Sequence, residues 1–205
     1  FDVAYLSHIP NMTLYAPATF GSFTQILKEM QNATAPCAVR YPNACEDADI
    51  VSAFYPNGDY EAFGVRANRE DSAACDVSIV TYGQMTKQAL LAQKMLEGEG
   101  ISASVILLEV LKPYEETAQK LLPLLSKEGL IVFLEEGIYS GGAAMHLSDL
   151  LSKQVEGFAQ RSETLAIFDH FAIPTTPCDM YTHCGISAAD VVQKIKNKRK
   201  NEKTT

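Results

Sequence analysis

The chain has 205 residues, a formal net charge of −8, 47% hydrophobic and 20% charged side chains. This is the balance of an ordinary globular protein, with room for one large or two small domains. So acidic a chain lacks the basic footprint that nucleic-acid binding needs, and its longest apolar runs, Val105–Leu108 and Leu130–Leu134, are strand-sized and far short of a membrane span.

Residues 1–42 read as loop, strand, helix, strand. Met12–Ala16 is an apolar strand closed by Pro17. Thr19 is placed to cap a helix through Met30, in which Phe23, Ile26, Leu27 and Met30 share one face. Cys37–Tyr41 is the next strand, and Arg40 is its odd member. A planar guanidinium carries a fixed fork of donors that matches a phosphate or a carboxylate. The plain alternative is a surface arginine ending a strand.

Residues 43–58 are polar, finish on Pro56-Asn57-Gly58, and read as a linker. The pattern then becomes regular. Strands are expected at Tyr60–Gly64, Val77–Thr81, Ala103–Val110, Leu130–Leu134 and Leu165–Phe168. Helices are expected over Gln84–Glu97, from Pro113 through Ser126, after Gly142, and after a Ser187 cap with Ala188, Val191, Val192 and Ile195 on one face. Such alternation predicts an α/β fold: a mostly parallel five-stranded sheet with helices on both faces. The cluster Lys194, Lys196, Lys198, Arg199, Lys200 and Lys203 reads as a solvated end, with residues 200–205 a charged tail.

Five cysteines without framework spacing fit a reducing, cytoplasmic setting. Cys37 and Cys45 flank the arginine strand with no redox spacing. His170, Cys178, His183 and Cys184 do not have the compact pairing of a zinc site, so no metal is expected there. Glu135-Glu136 follows a strand and Ser140-Gly141-Gly142 opens a helix. Strand ends and glycine-rich helix starts are where α/β folds place ligand groups and anions. Adjacent residues on an extended chain point opposite ways, so these glutamates are not an acid/base pair, and a structural or interface role is expected. His8 reads as a surface or turn residue, and Tyr82-Gly83 as a tight strand-to-helix turn. No Ser/His/Asp triad, P-loop or dinucleotide fingerprint is present.

One ordered set goes further. Phe1-Asp2…Tyr5-Leu6, Ile9-Pro10-Asn11-Met12, the strand ended by Pro17, the helix, and Ala38-Val39-Arg40-Tyr41-Pro42 stand in sequence. This order resembles the 1-deoxy-D-xylulose-5-phosphate synthase family of the transketolase superfamily, and the likeness runs to about residue 195. Where the family continues Arg-Tyr-Pro with Arg-Gly, this chain has Asn43-Ala44.

The resemblance implies the last third of a longer chain. Residues 1–42 would end a pyrimidine-binding domain, 43–58 would link it onward, and 59–199 would be a transketolase C-terminal domain that holds a homodimer together. The implied parent is a thiamine-diphosphate- and Mg²⁺-dependent transferase. It joins pyruvate to D-glyceraldehyde 3-phosphate with loss of CO2, and its product feeds isoprenoid and thiamine synthesis. The cofactor and metal motifs and the catalytic histidine would lie upstream of Phe1, leaving no catalytic residue in this chain. Phe1 and Asp2 would position the loop of that histidine, and Arg40 would hold the phosphate of glyceraldehyde 3-phosphate. Other readings are a non-catalytic assembly module, or the equivalent part of a classical transketolase or of a 2-oxoacid dehydrogenase β-subunit.

Overall fold

The computed structural model describes residues 1–43, 45–172 and 176–202. Ala44, residues 173–175 and 203–205, and the side chains of Pro177, Cys178, Asn201 and Glu202 lie outside that description. The tail expected at 200–205 is therefore described only to 202, where helix still continues.

The chain starts with a helix where a loop is expected: α1, Asp2–Ser7, which buries Val3. Strand β1 (Thr13–Tyr15) follows, then α2 (Phe20–Gln31), whose cap Thr19 accepts from the Ser22 amide at 3.1 Å as the sequence predicts. Strand β2 is Cys37–Val39 and ends one residue short of Arg40. Within the expected linker, Asp47 caps α3 (Ala48–Phe54), and Ile50, Phe54 and Tyr55 enter the core. The segment therefore packs where a polar tether is expected; apolar side chains three and four apart give it a buried face.

The expected strand at Tyr60–Gly64 lies later, as β3, Val65–Ala67. Tyr60 instead packs its ring at a tilt against Tyr55, with centroids 4.7 Å apart. The remaining strands are β4 (Val77–Thr81), β5 (Ala103–Leu108), β6 (Val110–Lys112), β7 (Leu130–Ile138) and β8 (Ser162–Ile167). The helices among and after them are α4 (Met85–Gly98), α5 (Tyr114–Leu121), α6 (Ala143–Ser152), α7 (Phe158–Arg161), α8 (Pro177–His183) and α9 (Ala188–Glu202).

Among the described residues the larger sheet has five strands in the order β3-β5-β4-β7-β8. Pairing is parallel except between β3 and β5. Alternate residues of the central strands feed two cores. Val77, Ile79, Val105, Leu107, Val132 and Leu134 pack under α3, α4 and α9. Val80, Ile106, Leu108, Ile131 and Phe133 face the other way, toward α5 and α6. Both faces are covered, which is why these strands read as continuous apolar runs.

The single strand expected over Ala103–Val110 breaks at Glu109. Residues 103–108 belong to the larger sheet, whereas 110–112 pair antiparallel with β1 in a second sheet of order β2-β1-β6. The basic C-terminal cluster is not simply solvated: Lys194 and Lys198 bind Glu163 at 3.0 and 2.9 Å, and Arg199 reaches Asp76 at 3.2 Å. Each such partly exposed pair adds little, about 0–1 kcal/mol.

Gly129 marks a close approach. A Cβ there would stand 2.1 Å from the Asp76 carbonyl oxygen and 2.6 Å from Ser126 Oγ. That carbonyl also accepts the Leu130 amide at 2.9 Å where β4 and β7 begin. Gly129→Ala should therefore lower the unfolding free energy by about 2 kcal/mol, read as a lower urea midpoint at unchanged slope.

Candidate functional site around Arg40

Arg40 is held at the carboxyl ends of strands from both sheets. Its amide donates to the Tyr15 carbonyl at 2.8 Å, which extends the β1–β2 pairing by one residue. Past the strand end the side chain turns toward the larger sheet. Nε donates to Asp2 Oδ2 at 2.8 Å, and Nη2 donates to the Glu136 carbonyl at 3.3 Å with the Glu136 carboxylate 3.6 Å away. The guanidinium carbon lies 5.6 Å from the centre of the Tyr82 ring. Nη1 faces Gly83, where a Cβ would stand only 3.4 Å away. Burial works against the Arg40 charge, but Tyr82, Asp2 and Glu136 outweigh it and hold its pKa above the ordinary value.

Of the five guanidinium N–H groups, those on Nη1 have no hydrogen-bond partner among the described residues. They form the open side of the fork. Asp2 is the ion-pair partner of Arg40 at this site.

The two glutamates after the apolar run of β7 do point opposite ways. The strand continues through both. Glu136 stays half-exposed beside Arg40, whereas Glu135 is 2% exposed under α6. Glu135 Oε2 accepts from the Tyr82 hydroxyl at 3.1 Å and from the Ala143 and Ala144 amides at 3.1 and 3.4 Å. The anion drawn to the glycine-rich helix start is thus a side chain of this same protein, placed against the free N–H groups of the first turn. Burial pushes its carboxyl up to about 7, against the pull of Tyr82 and the two amides. Its Oε1 is buried without a partner among the described residues. Burial, and then the neighbouring Glu135, push the Tyr82 hydroxyl well above its usual range.

The other candidates do not join this site. His8 is exposed at the end of α1. His183 and Cys184 lie at the end of α8, and His170 is exposed beyond β8. Among the described residues no three His, Cys, Asp or Glu side chains converge as metal ligands, and no helix is long and apolar enough to cross a membrane. A cavity of about 620 Å³ between Asp71, Asp76, Glu128 and Arg199 lies at the amino ends of β4 and β7, the opposite end of the sheet.

A family model described as the transketolase C-terminal domain matches residues 66–191, more than half of the chain. The chain belongs to that family. Among curated relatives, the 1-deoxy-D-xylulose-5-phosphate synthase of Clostridium perfringens (strain 13 / Type A) is 32% identical over 193 residues, covering 93% of this chain and 29% of the relative. The Syntrophotalea carbinolica enzyme of the same name is 29% identical, covering 96% of this chain and 30% of the relative. The transketolase-type chain described here therefore spans about three tenths of the length of those relatives. A solved structure titled as a split-gene transketolase, an inactive β4 tetramer, superposes with TM-score 0.73 at 27% identity over 96% of this chain and 61% of that one. A Pichia stipitis transketolase mutant at 18% identity shares the fold, with TM-score 0.62 over 99% of this chain and 27% of that one. Arg40, Asp2, Tyr82 and Glu135–Glu136 bring together four separate stretches of this transketolase-type chain. Sequence order makes Arg40 visible, but Tyr82 reads as an ordinary turn residue because nothing local shows that its ring and hydroxyl serve two different partners.

Proposed function

We propose that this chain is the C-terminal part of a 1-deoxy-D-xylulose-5-phosphate synthase. The parent would be a homodimeric, cytoplasmic transferase that condenses pyruvate with D-glyceraldehyde 3-phosphate and supplies isoprenoid and thiamine synthesis. Within it, residues 1–42 end a pyrimidine-binding domain, 43–58 connect, and 59–199 form the C-terminal domain through which the dimer assembles. Arg40 is the phosphate anchor for the acceptor aldehyde. The observation that carries this reading is the Arg40 side chain, fixed at the strand ends with the Nη1 face of its fork uncommitted.

Holding a remote phosphate orients the aldehyde carbonyl toward the nucleophile, so the binding contact is spent on the reaction barrier. Asp2 and Glu136 outnumber the single positive charge of Arg40. Asn43 stands where the family carries a second arginine, so further positive charge for the phosphate would come from elsewhere in the parent. Thiamine diphosphate with Mg²⁺ would supply the carbanion chemistry. The carboxylates nearest Arg40 are committed to its guanidinium and do not offer themselves as metal ligands.

In the full-length parent, Arg40→Ala is expected to lower kcat/KM for glyceraldehyde 3-phosphate about ten- to hundred-fold, the loss of a charge-assisted contact, while leaving pyruvate decarboxylation unchanged. Steady-state kinetics for the acceptor indistinguishable from the parent's would remove Arg40 from this role. The resemblance to the split-gene structure favours a second reading, a non-catalytic assembly module. Tight binding of thiamine diphosphate to this chain alone, measured by calorimetric titration, would contradict the module reading.

A further inference from the structure

The tyrosine beneath Arg40 has two faces with different tasks. Its ring lies under the guanidinium, 5.6 Å from ring centre to Cζ. Its hydroxyl points into the protein and donates to Glu135 at 3.1 Å. Glu135 cannot drift, because the same carboxylate oxygen accepts two amides at the start of α6. Gly83, at φ +56, turns the chain directly after Tyr82 and leaves space for Arg40 Nη1.

We propose that Tyr82 and Glu135 are positioning residues for Arg40: the bond between them fixes the tyrosine ring as the floor under the guanidinium and so directs its open N–H groups toward a bound oxyanion. This rests on the reading of Arg40 as an anion anchor and deepens it. Packing alone does not call for this pair, since a phenylalanine and an aliphatic side chain would fill the space without taking a hydroxyl and a carboxyl out of water. The titratable and charged groups facing Glu135 are Tyr82 from β4, Tyr114 from α5, Arg40 beyond β2 with its partner Asp2 from α1, and the amide end of α6. Protonating Glu135 weakens it as an acceptor, which loosens the floor; the setting of Arg40 then varies across neutral pH.

The test follows the Nε–Hε resonance of Arg40 in the ¹⁵N-labelled 205-residue chain, assigned by its disappearance in Arg40→Gln. Sulfate is the titrant, because its charge is constant from pH 6 to 8. Tyr82→Leu removes the floor; it should displace the resonance and weaken sulfate binding roughly two- to thirty-fold, the span of a cation–π contact. Tyr82→Phe and Glu135→Gln keep the shape and should abolish the change of the resonance between pH 6 and 8. An Arg40 resonance matching the parent's in position and pH response in both conservative variants overturns the proposal, and those two variants decide the matter if Tyr82→Leu does not fold. Sulfate affinity unchanged in Arg40→Gln would instead sink the anion-anchor reading, while the resonance would still report whether the ring positions the guanidinium.

Discussion

Glu109→Ala is expected to cost about 4 kcal/mol of stability, because the side chain is wholly buried and two groups depend on it. The Tyr55 hydroxyl donates to one carboxyl oxygen, and the Ala18 amide donates to the other at 3.4 Å. An orphaned buried donor costs about 1–3 kcal/mol, and truncation adds an unfilled volume. Losing the carboxyl also relieves its own desolvation, which keeps the total below the simple sum. Glu109→Gln retains the shape and an acceptor, so it should cost about 1–2 kcal/mol. Urea unfolding of both variants checks the order, and an alanine variant no less stable than the glutamine one would refute the assignment. The Ala18 amide should also exchange its proton faster in the alanine variant.

The second large effect is a dependence on pH through Glu135. In the folded protein its carboxyl titrates at about 7, against 4.5 for an ordinary glutamate. Between those values the folded state holds a proton that the unfolded state has released. The stabilising contribution is therefore complete below about 4.5 and is lost as pH rises through about 7, by on the order of 3 kcal/mol. Asp47, Asp76 and Glu163 act oppositely, since their carboxyls are held below the usual range and their contribution is lost as pH falls. The informative quantity is thus the stability of the parent minus that of Glu135→Gln, measured at pH 5 and pH 8.5. That difference should fall by about 2.5 kcal/mol over the interval. A pH-independent difference would place the titration elsewhere.

The periodic elements of this fold are legible because the pattern and the packing agree. Alternating burial explains the apolar runs of β4, β5 and β7, and Thr19 caps α2 as its side chain suggests. Legibility fails where distant contacts override local pattern. Residues 103–110 look like one strand, yet the ladder changes sheet at Glu109. Residues 43–58 as a whole read as a polar linker, yet Ile50 and Phe54, four positions apart on α3, reach the core. Arg40 stands out because a charge in an apolar run needs a cause. Its partners do not stand out, since Asp2 and Tyr82 come from segments 38 and 42 positions away in the sequence. The opposed directions of Glu135 and Glu136 follow from strand geometry alone, whereas the burial of one under α6 requires the fold.

The switch at Glu109 has a mechanical consequence. One uninterrupted backbone serves as a rung in both ladders, and the Glu109 carbonyl further receives the Ala16 amide at 2.9 Å while its own amide donates to Gly64 at 2.7 Å. The two sheets are stitched by shared thread, and the packed segment 43–58 adds a second link through Tyr55, which bonds Glu109. Swinging the first 42 residues outward would mean unpicking β6 from β1.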